Sequence, residues 1–337
     1  MKKIVSLIIS FILCVTLFAG CGGENATIGE MTGDQNAVVA TADGYELTVD
    51  AYKYFIIQNA IEEIQVTNPN FDGDFTKIDW DAKTESGESM EEVIKTRALG
   101  DYADYVAMVK LGEEKGVKVT DEDMKEIMEA MEQYGADNGE EGFKVALRSM
   151  GFYSAEGYEK VARLNVGYQK VSEDFELSRK KYIDDEETLQ SYKSDEEVCA
   201  QHILIKNDSE KYDKPEETIN DILEKARTGE DFDKLIAEYN EDPGQPPAGY
   251  SFGKGVMVPE FETAAFALDY NEISEVVETD YGYHIIKRVV GISELKTSLR
   301  GDVDIYAEVY DNLSVKDIMT DIYNANELLN KKQEGGK

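Results

Sequence analysis

The stretch Val198-Cys199-Ala200-Gln201-His202-Ile203-Leu204-Ile205 holds one of only two histidines in a chain of 337 residues. Its β-branched run reads as a buried strand continuing to Lys206. The second histidine sits in Thr279-Asp280-Tyr281-Gly282-Tyr283-His284-Ile285-Ile286. Between them lies Gly255-Val256-Met257-Val258-Pro259-Glu260-Phe261-Glu262-Thr263-Ala264-Ala265-Phe266-Ala267-Leu268. Working outward, Pro215 opens a helix after Asp213 or Lys214, and Gly229 ends it. A second short helix covers Asp231–Tyr239, and a loop rich in Pro and Gly runs from Asn240 to Gly249. Tyr250–Phe252 reads as a strand, Pro259 to about Leu268 as a third helix, and Val276–Glu278 and Tyr283–Val290 as the last strands. Helices mixed with an antiparallel sheet make an α+β fold.

Toward the amino terminus, Lys2 and Lys3 precede an apolar run, Ile4 to Phe18, too short to span a membrane well. Phe18-Ala19-Gly20-Cys21 resembles a bacterial lipobox, which implies a leader peptide over 1–21, diacylglycerol on Cys21 and a body held at the extracytoplasmic face of the cell membrane. Residues 22–36, rich in Gly, Asn and Thr, read as a flexible tether. The net charge is −35. Removing residues 1–20 deletes two lysines and no acid, giving −35 − 2 = −37. Nucleic acid is excluded as a partner, because phosphate binding needs a basic face. Cys199 would be the one cysteine besides Cys21 in the mature chain, so no internal disulfide forms, and it reads as a core residue. Two distant histidines and no Cys pair make no zinc spacing, so no metal is expected.

The rest of the chain is mainly helical. Val38–Val49 reads as a strand, a turn at Asp43-Gly44, and a second strand or a lead into a helix capped by Thr48 or Asp50 and running to about Val66. Residues 67–89, with the lone Trp80, lack a core-forming period and read as a loop. From Met90 an amphipathic stripe of Ala98, Tyr102, Tyr105, Val106 and Val109 predicts a helix to about Lys115. Thr120 caps another, and helices are predicted over about 121–134, 141–150 and 155–193. A last helix is predicted over 304–332, with Ile305, Val309, Leu313, Ile318, Ile322 and Leu328 as its apolar positions. So short a helix needs a partner for its stripe, which places it against the amino-terminal helices. The predicted domains are a helical lobe at 37–195, an α+β domain inserted at 196–292, and a C-terminal helix with a tail at 293–337.

The two histidine strings and the Gly-x-Met-Val-Pro-Glu-Phe phrase resemble the parvulin family of peptidyl-prolyl isomerases. The signal, the helical lobe and the phrase Glu114-Lys-Gly-Val-Lys-Val-Thr-Asp-Glu-Asp123 resemble PrsA-like foldase lipoproteins. The resemblance implies catalysis of X–Pro rotation in unfolded or partly folded exported proteins, with chaperone activity from the lobe; it also admits a homodimer through that lobe. Unaided, the X–Pro bond isomerises over a barrier of about 20 kcal/mol in tens of seconds or longer. Working in milliseconds means removing roughly 5–6 kcal/mol. No covalent bond is broken, so neither nucleophile nor cofactor is required; an apolar grip on the proline ring, excluded water and groups favouring the twisted amide suffice.

By the resemblance, His202, Asp242 and His284 are the catalytic set. The two imidazoles, meeting beneath the substrate, are expected to stay neutral and to share one N–H···N bond. Met257 and Phe261 are expected to line the proline pocket. Thr279 corresponds to a site-lining hydroxyl, and Tyr281 stands where other parvulins often have Ser. The family's usual Gly-Gly-Asp-Leu-Gly loop is replaced here by Gln245-Pro-Pro-Ala-Gly-Tyr-Ser-Phe252, so Tyr250 or Phe252 is expected to fill the place of the missing Leu. That departure leaves a second reading, a non-catalytic holdase that uses the domain only to bind peptides. A transport-system binding lipoprotein would explain the lipobox but not the histidine strings.

Overall fold

The computed structural model describes residues 33–68, 70–84, 87–183, 193–299 and 303–335. The expected leader, Cys21 and most of the tether lie outside the described residues, as do 184–192 of the helix expected over 155–193. In chain order the strands are β1 (Val38–Ala42), β2 (Tyr45–Thr48), β3 (Glu197–Lys206), β4 (Tyr250–Gly253), β5 (Val277–Thr279), β6 (Gly282–Val289) and β7 (Val303–Ile305). The helices are α1 (Val49–Thr67), α2 (Met90–Glu114), α3 (Asp121–Ser149), α4 (Ala155–Ser178), α5 (Pro215–Arg227), α6 (Phe232–Tyr239), α7 (Pro259–Ala267), α8 (Ile292–Leu299), α9 (Ala307–Asp311) and α10 (Val315–Gly335). They form two compact units, one of Met1–Val171 with Arg300–Lys337, the other of Ser172–Leu299.

The first unit is built from both ends of the chain. Asp43 and Gly44, both at positive φ, turn β1 into β2, and the Thr48 hydroxyl caps α1 by accepting from the Ala51 N–H. Capping boxes of Ser89 with Glu92 and Thr120 with Asp123 start α2 and α3. Gly139, at φ 70° and ψ 175°, leaves helical geometry and divides α3 into two helical segments, as the sequence predicts, while Gly135 stays helical and the break falls at Gly139. From the far end of the sequence, β7 pairs antiparallel with β1 to give the sheet order β2-β1-β7. Ile318, Met319 and Ile322 of α10 enter the same core as Tyr52, Phe55 and Ile94. Arg148 meets Asp321 at 2.8 Å, and the Tyr153 hydroxyl donates to the same carboxylate at 2.6 Å.

Two details differ from the sequence reading. The predicted helix over 304–332 begins instead as strand β7, and Ile305, expected on the apolar stripe, is 49 % exposed. The Tyr306 N–H donates to the Val39 carbonyl, so pairing with β1 wins over a weak local helical period. The supposed loop at 67–89 contributes Phe75 and Trp80, both buried in the first core; two isolated aromatics anchor it without any periodicity.

The second unit is a four-stranded antiparallel sheet, order β4-β3-β6-β5. Side chains alternate across it. Ile203, Ile205 and Ile285 pack with α5 and α6, whereas Val198, Ala200 and Ile286 pack with Phe261 and Ala265 of α7. His202 and His284 share the parity of the second set, so both project on the α7 side. Arg288, fully buried, bonds the Ser194 carbonyl at 3.0 Å and Glu294 at 3.2 Å, tying α8 to β6. Among the described residues no helix is long and apolar enough to cross a membrane.

Candidate active site

Strand register brings the two histidines together. Leu204 faces His284 and His202 faces Ile286, so the histidines are diagonal neighbours across β3 and β6. Their ring centroids lie 5.3 Å apart at 64°. Phe261, from the first turns of α7, stands edge-on to both, 5.2 Å from His202 and 5.5 Å from His284. All three side chains are buried. The rings meet, but without the expected N–H···N bond: each Nδ1 is buried without a hydrogen-bond partner.

The Nε2 atoms are held by other side chains. His202 Nε2 lies 3.1 Å from Asp242 Oδ2. A carboxylate only accepts, so His202 carries its proton on Nε2. The Tyr250 hydroxyl donates to the same oxygen at 3.0 Å, and the Gly244 N–H to Oδ1 at 2.9 Å. His284 Nε2 lies 2.9 Å from Thr279 Oγ1, which also accepts from the Tyr281 N–H at 3.2 Å. Burial pushes the His202 imidazolium pKa down, opposed by the Asp242 charge. Burial, with His202 adding to it, pushes His284 down to about 4. Both rings are therefore neutral at pH 7. Burial and the Asp242 bond raise the Tyr250 phenol to about 12, so it stays a donor.

A loop places Asp242. Strand β4 covers the outer edge of β3 only from Glu197 to Ala200. Beyond it three side chains stand in for a strand: Gln245 Oε1 accepts from His202 N at 2.7 Å, Asn240 Oδ1 from Leu204 N at 2.9 Å and Glu241 Oε2 from Lys206 N at 2.8 Å. Asn240 Oδ1 also accepts from Asp242 N at 3.2 Å. The edge is satisfied and the Asp242 carboxylate is delivered to His202 in one arrangement. The sequence reading missed Asn240, Glu241 and Gln245. The only local signal was a run of acceptor side chains, Asn240-Glu241-Asp242, ahead of Pro243.

The remaining candidates fall in different places. Met257 is half-buried in the cluster that contains Phe261. Phe252 is buried, with its ring 6.0 Å from both Phe261 and Phe266, so it backs the apolar wall from inside. Tyr250 lies nearer the chemistry, 5.9 Å from the His202 ring. Tyr281 is 65 % exposed on the β5–β6 turn. Cys199 is buried, and burial raises its thiol pKa. A cavity of about 700 Å³ on the other face of the sheet, lined by Gln201, Phe232, Ile236 and Lys287 among others, contains neither histidine.

Residues 186–290 match the profile of the PPIC-type PPIase domain. A PrsA foldase of Oceanobacillus iheyensis is 32 % identical over 238 residues, 68 % of this chain and 73 % of the relative. The chain belongs to the PrsA foldase family. The PrsA foldase of Caldanaerobacter subterraneus is 28 % identical over 290 residues, 85 % of this chain and 82 % of its own length. Several other PrsA foldases are matched over 54–66 % of their length. Among solved structures, the parvulin NmPin of Nitrosopumilus maritimus is 38 % identical, covering 28 % of this chain and 97 % of its own, with a TM-score of 0.24. Residues 186–290 of the chain are therefore a parvulin-type peptidyl-prolyl cis-trans isomerase domain within a foldase-family protein.

Proposed function

We propose that the α7 face of the second unit is where the X–Pro bond turns. Met257 and Phe261 grip the pyrrolidine ring, and Tyr250 flanks it. His202 and His284 form a neutral floor under the twisting amide, with Asp242 and Thr279 fixing their orientation. Planar amide is the more polar state, so a dry site with uncharged imidazoles favours the twisted amide relative to water. Neither histidine needs to transfer a proton, and Asp242 acts through His202 rather than on the substrate carbonyl. One observation carries this reading: Phe261 lies against both rings while each Nε2 is taken up by a partner.

The same reading places the enzyme outside the cytoplasm, tethered by lipid on Cys21, acting on exported proteins while the first unit holds non-native chains. The test is refolding of a proline-limited protein with the full chain and with His202→Ala, Asp242→Ala and Met257→Ala. Each variant should slow the proline phase while aggregation suppression persists. Wild-type rates in all three would remove the site assignment, and suppressed aggregation without any acceleration by the parent would favour a holdase.

A further inference from the structure

We infer that Glu262 is a positioning residue of the isomerase site, clamping the turn Gly255–Met257 so that the Met257 side chain is presented to the proline ring. This rests on Met257 lining the pocket. The Glu262 carboxylate accepts from consecutive backbone N–H groups: Gly255 at 3.0 and 2.8 Å to its two oxygens, Val256 at 3.2 Å and Met257 at 3.4 Å. Converging amides make an anion-binding concavity, and a carboxylate fills it with charge-assisted bonds. Gly255 takes φ +82°, a conformation the rest of this turn depends on.

Little else holds the turn. Val256 is 66 % exposed and Gly255 is exposed, so no side chain of that pair anchors it in the core. Lys254, just before it, is turned to Glu196 at 3.0 Å. The fold does not lean on Glu262 either: α7 is docked by Phe261 and Ala265 and opened by Pro259. Methionine's three rotatable bonds let its thioether adapt to a ring, so what the turn decides is whether the Met257 Cα stands within reach of the pocket. Phe261, the adjacent residue, faces the histidines from the helix that carries Glu262. One helical turn therefore supplies one wall of the pocket directly and fixes the other through the carboxylate. The bound amides, Gly255 first, hold the Glu262 carboxyl below its usual pKa, as a carboxylate committed to the turn requires.

The test is steady-state isomerisation of an X–Pro peptide by the full chain as wild type, Glu262→Ala, Glu262→Gln, Met257→Ala and the Met257→Ala/Glu262→Ala double variant. Loss of the clamp should raise KM about fivefold to tenfold, with kcat within about twofold of the parent. Glu262→Gln keeps one acceptor oxygen and should recover most of that loss. In the Met257→Ala background, removing Glu262 should add less than about twofold, because the residue through which it acts is gone. Additive losses, or a fall in kcat at constant KM, would show a general structural role and overturn the inference. An unchanged KM in Glu262→Ala beside a raised KM in Met257→Ala would overturn this inference alone. An unchanged KM in Met257→Ala would remove the pocket reading beneath it.

Discussion

Acidification should loosen the isomerase unit through His284. Its pKa is held at about 4 against an ordinary 6.5, chiefly by burial, so the folded state resists a proton that the unfolded chain accepts. Above pH 6.5 neither state is protonated at this site and its contribution is intact. As pH falls from 6.5 toward 4 the unfolded state takes up the proton first, and stability drains away. Below pH 4 both states are protonated and the loss stops growing. A fall from 6.5 to about 4, at about 1.36 kcal/mol per pH unit, costs roughly 3 kcal/mol by pH 4, a large part of the 5–15 kcal/mol typical of a domain. His202, also held neutral by burial, pulls in the same direction. The lone Trp80 lies in the first unit, so its fluorescence does not report on this site. Amide hydrogen exchange at Ile203, Ile205 and Ile285, corrected for intrinsic rates, does. Between pH 7 and 4 the wild type should lose about 3 kcal/mol more protection than His284→Gln. Identical profiles for the two proteins, or protection that rises on acidification, would refute the reasoning.

Other expectations follow from the same contacts. Asp242→Asn should cut kcat/KM by about tenfold or more, the value of a hydrogen bond to a charged partner, and NMR titration should find the His202 pKa lower still once the raising charge is gone. Asn240→Ala leaves the Leu204 and Asp242 N–H groups without their acceptor, so exchange at Leu204 should accelerate and the unit should lose about 1–3 kcal/mol. Phe261→Ala opens a cavity against both histidines and should cost about 3–5 kcal/mol in denaturant melts of the second unit, with Phe261→Leu costing less. Cys21→Ser should move the protein from the membrane fraction to the soluble one while leaving peptide isomerisation unchanged.

The parts of the fold that local chemistry specifies were legible in the sequence. Pro215 and Pro259 at helix starts, Gly229 after α5, the Thr48 and Thr120 caps and the β-branched run of β3 each carry their own instruction. The histidine strings could be read through their resemblance to parvulins, and the structure adds the reason they meet: alternation along β3 and β6 puts His202 and His284 on the residue parity that faces α7. What could not be read depends on partners distant in sequence. β7 is a strand only because β1 offers it an edge some 260 residues away, and Trp80 is a core residue only because other helices surround it. The support of the site was hidden for the same reason. Gln245, Asn240 and Glu241 look like loop residues until β3 is seen to run past the end of β4, leaving N–H groups that those side chains must answer. The part played by Asp242 is likewise set by tertiary partners, its two oxygens being committed to His202, Tyr250 and Gly244.

The claim that X–Pro rotation takes place over the paired imidazoles is tested most directly by exchange NMR of a proline peptide in the presence of the full chain. Catalytic amounts should bring the cis and trans resonances into rapid exchange, a bound peptide should shift the Met257 methyl and both histidine rings together, and His202→Ala should slow the exchange. Exchange that continues undiminished in the Met257→Ala/Phe261→Ala double variant, or a peptide that shifts residues elsewhere and leaves these three untouched, would contradict it.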